Sequence, residues 1–193
     1  MHSLSRWRRG PAVSVMLFVM FLATAISSPG QTYTVLSSFF RFQGLSFSGI
    51  NTVPLVQGFD GNFYGWSPDL GSGALTYGAV FQLTPGGTLT YLHSFSGPDG
   101  KYPVGGLALG TNGNLYGTTS QGGPKDGGII SKSTPAGAVT TVHNFCTPAN
   151  SSDGYNPQSG LVLAGNGIMW GTTAGGGPKF EGTIFELSTG GTV

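Results

Sequence analysis

The sequence predicts an all-β protein made of tandem four-stranded repeats that resemble the blades of a β-propeller, and three observations carry that expectation. The 193 residues include 35 Gly and 12 Pro, enough turn formers for many short strands. Hydrophobic residues reach 38% and charged residues only 8%, so the chain has a core to bury and lacks the charge of a disordered polyelectrolyte. Similar segments recur at about fifty residues, the period of a repeat architecture rather than of one irregular domain.

The N-terminus differs from the rest. Arg6, Arg8 and Arg9 precede an uncharged run from Ala12 to Ile26, and Ala23-Thr24-Ala25 offers small residues for cleavage. Residues 1–30 therefore read as a signal peptide, because the apolar run is shorter than the roughly 20 residues a spanning helix needs. No membrane span is expected once it is removed. Residues 31–193 then form the repeat domain, with units at about 51–95, 104–145 and 158–193.

Each unit begins with strand a, followed by a turn and an aromatic strand b. Leu55 to Gly65 (Leu-Val-Gln-Gly-Phe-Asp-Gly-Asn-Phe-Tyr-Gly), Leu107 to Gly117 and Leu161 to Gly171 align, so Tyr64, Tyr116 and Trp170 share one position. The pairs Asp60-Gly61, Asn112-Gly113 and Asn166-Gly167 supply the positive φ that a tight hairpin needs. Strand c follows at Val80 to Leu83, Ile129 to Ser133 and Ile184 to Leu187, with Phe81, Ile130 and Phe185 read at one position. Pro85-Gly86 turns the chain into strand d, which ends in His93-Ser94-Phe95 in the first unit and His143-Asn144-Phe145 in the second. Thr32 to Phe39 aligns with Thr88 to Phe95, a spare strand d ahead of the first unit. The expectation is that strand 32–39 completes the last unit, giving about three blades per chain. Propellers have about four to eight blades, so either two chains share a six-bladed ring or the chain is a piece of a longer array.

The run from Gly106 to Ser120 (Gly-Leu-Ala-Leu-Gly-Thr-Asn-Gly-Asn-Leu-Tyr-Gly-Thr-Thr-Ser), with its Gly-rich loop, Thr-Pro turn and His-x-Phe ending, resembles the GloVer tandem repeat of choice-of-anchor proteins. The resemblance spans about residues 32–193. It implies a secreted or surface-attached bacterial protein with no assigned reaction. The family's frequent second Cys after Phe-Cys is missing, and Ser151 or its neighbour stands where a partner for Cys146 is expected.

Composition and motif searches narrow the chemistry. Removal of the leader takes three arginines with it and leaves acidic residues in slight excess, which argues against a nucleic-acid surface. Cys146 is the only cysteine, so no intramolecular disulfide forms. His93 and His143 occupy one repeat position, as a blade-building residue does and a catalytic residue usually does not; no metal-ligand spacing accompanies them. The loops Gly122 to Gly128 and Gly175 to Gly182 lack the Lys-Ser/Thr and helix of a phosphate cradle. They are expected as exposed b-to-c connections, with Lys125, Asp126, Lys179 and Glu181 as candidate ligand contacts. Trp66 stands where the other units have Thr118 and Thr172, and is expected to be exposed and able to grip a glycan or partner. No catalytic residue, metal or cofactor is assigned. The expected function is an exported binding or structural repeat protein at the cell envelope, its partner a glycan or surface protein; the alternatives are a polysaccharide-acting propeller enzyme drawing on Asp126 or Glu181, and a non-functional fragment of a longer array.

Overall fold

A computed structural model describes residues 33–36, 54–67, 77–147 and 151–189. The chain divides into residues 1–34 and residues 35–193. The leader lies outside the described residues, as does most of the closing strand expected at 32–39; residues 33–36 are not in a strand. Among the described residues no helix is long and apolar enough to cross a membrane.

Twelve strands follow in order: β1 (Val56–Gln57), β2 (Phe63–Ser67), β3 (Ala79–Leu83), β4 (Leu89–Ser94), β5 (Lys101–Leu109), β6 (Leu115–Gln121), β7 (Ile129–Ser133), β8 (Val139–Asn144), β9 (Tyr155–Pro157), β10 (Val162–Leu163), β11 (Ile168–Gly175) and β12 (Thr183–Ser188). They form three antiparallel sheets, ordered β1-β2-β3-β4, β5-β6-β7-β8 and β10-β11-β12, with β9 also pairing to β11. The first two are the a-to-d meanders expected of a blade. In the third, β9 and β10 together take the place that continuous β5 occupies in the second. The Asp-Gly-x-x-Pro connector therefore enters the sheet, which the alternation of strand a alone does not reveal.

The hairpins share one design. Gly58 N–H donates to the Asn62 carbonyl at 2.8 Å and Gly61 N–H to the Gly58 carbonyl at 3.1 Å, with φ +82° at Gly61. This is a three-residue loop ending in a left-handed glycine. Gly110 to Asn114 and Ala164 to Ile168 repeat it, as do the c-to-d loops at Thr84–Thr88 and Thr134–Ala138. Asx side chains brace the a-to-b turns: the Asn62, Asn114 and Ile168 amides donate to Asp60, Asn112 and Asn166 at 3.1–3.2 Å.

Blades pack face against face. Tyr64, Trp66, Val80 and Phe95 of the first bury against Leu107 and Leu115 of the second. Tyr116, Ile130 and Phe145 of the second bury against Leu161, Met169 and Leu187 of the third. Period-two alternation sends one face of each strand forward and the other back, so a middle blade is buried on both. The five residues from Leu115 to Thr119 are all buried, whereas β11 alternates strictly between buried and exposed.

The strand register corrects one alignment. Phe81 lies opposite Gly65 and Phe185 opposite Gly171, but Ser131, not Ile130, lies opposite Gly117. Ile130 shares its place with Val80 and Ile184. The second unit has a small residue where the others have Phe because a neighbouring ring already fills the space, as described next.

Candidate functional site

Trp66 is not an exposed ligand contact. It is 3% exposed and lies in the first blade interface, with its ring centroid 5.6 Å from that of Phe95. Its six-membered ring covers Gly117 so closely that an added Cβ there would collide with it. Phe81 and Phe185 cover the equivalent Gly65 and Gly171 from within their own blades, whereas Ser131 leaves room for Trp66 to do so from the blade before. The unmatched Trp is therefore the complement of an unmatched Ser. The Trp66 indole N–H is buried without a hydrogen-bond partner among the described residues.

The b-to-c loops are exposed, as expected. Gly128 N–H donates to the Gly122 carbonyl at 3.1 Å and Asp126 N–H to Gly123 at 3.1 Å; Gly182 to Gly176 at 3.0 Å and Phe180 to Gly177 at 3.1 Å repeat the pattern. Asp126 and Phe180 occupy the same left-handed position, at φ +56° and +59°. The backbone is thus constant while the tips differ, Lys-Asp-Gly in one blade and Lys-Phe-Glu in the next. Lys125, Lys179 and Glu181 extend into solvent, with no ion pair or side-chain hydrogen bond among the described residues, beside a Phe180 that is 64% exposed. Asp126 is more constrained. Its carboxylate accepts from Lys101 Nζ at 3.0 Å and from Gly122 N–H at 2.8 Å, and the Lys101 hydrogen bond leads in holding it below the usual carboxylate range. Lys101 also lies 5.1 Å from the centre of the Tyr77 ring, tying the loop to the preceding blade.

A pairing absent from the sequence reading links the recurrent histidines to the Asp-Gly connectors. His93 Nε2 lies 2.8 Å from Asp99 Oδ2, and His143 Nε2 lies 3.2 Å from Asp153 Oδ2. Each ring stands edge-on to the Phe two residues later, at 5.1 and 4.9 Å between centroids. The other oxygen of Asp99 accepts from the Ser96 amide and hydroxyl, both at 2.8 Å. Burial pushes Asp99 up, but the Ser96 and His93 contacts outweigh it and its carboxyl ends below the usual range. Joint recurrence of His-x-Phe and Asp-Gly was the available signal; the unequal separations, six and ten residues, concealed it. A cleft of about 240 Å³ opens beside the second pair, between His143, Phe145, Asp153, Thr183 and Phe185. No group of His, Cys, Asp and Glu suited to a metal occurs among the described residues. Cys146 Sγ meets Ser151 Oγ at 2.8 Å, so Ser151 does occupy the place of the missing thiol.

A family model described as the Gloeobacter/Verrucomicrobia repeat matches residues 23–193. The chain belongs to this repeat family. No curated protein matches it. Among solved structures, a streptogramin B lyase is similar at 18% identity and a TM-score of 0.48, over 72% of this chain and 38% of that one. A protein provisionally described as a gluconolactonase is similar at 20% identity and a TM-score of 0.40, over 70% of this chain and 47% of that one. The chain thus spans less than half the length of either.

Proposed function

We propose that the chain is an exported repeat protein that binds or organises material at the bacterial cell envelope, through the b-to-c loops at one end of its blades, and carries out no reaction of its own. The observation that carries this reading is the pair of loops with one backbone and different tips, the arrangement by which a rigid scaffold varies what it touches. Lys125 on one loop, and Lys179, Phe180 and Glu181 on the next, combine cation, carboxylate and aromatic surface suited to a glycan or a surface protein. The arginine-headed apolar leader supports export. Both His–Asp pairs recur with the blades and clamp connectors, and Asp126 is engaged by Lys101, which supports a scaffold over a hydrolase.

The test is retention of the purified chain on insoluble envelope polysaccharide from a bacterium of the family. Combined Lys179→Ala, Phe180→Ala and Glu181→Ala changes are expected to lower retention at least tenfold without moving the melting temperature. Equal retention would remove the loops from the account. Export is tested separately by the N-terminus of the cell-processed protein, expected between residues 24 and 31 and contradicted by an intact Met1.

A further inference from the structure

The third blade lacks the cover its two predecessors have. Val162, Trp170 and Ile184 are 67%, 42% and 76% exposed, while their equivalents Tyr64, Val80, Tyr116 and Ile130 are fully buried and Ala108 nearly so. In the first interface the cover comes from Leu107 and Leu115, flanked by Val139. The first blade carries the same set in Leu55, Phe63 and Leu89, and Leu55 is 48% exposed. One molecule therefore presents both halves of the interface it already makes twice. β12 adds an open edge: its equivalents β3 and β7 are paired on both sides, while β12 pairs only with β11 among the described residues.

We infer that a second copy of this chain seats its first blade on the third blade of the first copy, head to tail, so that Leu55, Phe63 and Leu89 cover Val162, Trp170 and Ile184. The arrangement explains why Trp170 lacks a hydroxyl partner where Tyr64 and Tyr116 have one, and leaves Glu186 at the rim, as its half-buried equivalents Gln82 and Lys132 are. Residues 32–39, which align with β4, immediately precede that first blade in sequence just as β4 precedes β5. The incoming copy thus also brings a strand matched to the open edge of β12. Head-to-tail contacts close into a ring or run on as a filament. Three blades per copy closes at six, within the range that propellers adopt. The inference does not depend on what the loops bind.

The experiment is sedimentation velocity on the purified full chain and on Ile184→Glu and Leu55→Glu, each checked for an unchanged β spectrum. The native chain is expected as a dimer, with each variant weakening association roughly a hundredfold, since an unpaired carboxylate would be buried against apolar surface. Mixing the two variants should recover part of the dimer, because one sound head then meets one sound tail. A monomeric native chain, an open-ended series of masses, association that persists in both variants, or loss in Ile184→Glu alone would each overturn the proposal. The last would indicate tail-to-tail pairing. If a variant loses its spectrum, Trp170 fluorescence of the native chain decides instead: a blue shift with concentration supports the contact and constant emission overturns it.

Discussion

Trp66 and Gly117 form one unit of packing, and their energetics are separable. Trp66→Ala is expected to cost about 3–5 kcal/mol, the range for deleting a large buried aromatic, read as a fall in the denaturation midpoint. Trp66→Phe should recover most of that, because the indole N–H has no partner to lose. Gly117→Ala should be strongly destabilising in the native background and much less so beside Trp66→Ala, a coupling that a double-mutant cycle measures. Ser151→Cys tests the loop beside it: the thiol would meet Cys146 and, under oxidising conditions, free-thiol titration should fall to zero with a gain of about 2 kcal/mol by loop-closure entropy. Two retained thiols would show that the loop cannot reach disulfide geometry. Of these residues Ser151 was legible from its place in the repeat. Trp66 was not, because its burial depends on a Gly and a Ser some fifty residues later in the next blade, and the strand pattern of its own unit carries no trace of them.

Strands and turns were legible where local chemistry decides them. The Asp-Gly and Asn-Gly pairs foretell the hairpins because the third loop position requires a left-handed residue, and all three supply glycine there. β9 and the first half of β5 were hidden, since a connector with Asp, Gly and Pro looks like punctuation and becomes a strand only by pairing with β11 or β6. The His–Asp clamps that fasten these connectors should show in acid. Asp99 has a folded pKa below its unfolded value, so its contribution is present above the unfolded pKa and lost as pH falls through the folded one. The native chain should lose stability as pH drops below about 4, and Asp99→Asn should be less stable at neutral pH with a flatter acid limb. A parallel acid limb in both proteins would mean that Asp99 is not what titrates there. The loop tips follow another logic: exposure was legible from their Gly-rich composition, while the capture of Asp126 by Lys101 was not, because those residues come from different elements 25 positions apart.

The molecule as a whole is a stack of blades in which each interface repeats the one before, and its open third blade is the consequence that matters most. Covered on one face and paired on one edge, that blade is complete only when something supplies the next face and strand. Amide hydrogen exchange on the full chain, at concentrations where it is associated, reads this directly along β12. An edge strand left open exchanges its outward amides quickly, whereas a paired strand protects them all. The account predicts that β12 is protected along its length as β3 and β7 are, and that dilution or Ile184→Glu releases every second amide. Fast exchange of those outward amides in the concentrated native chain would contradict it.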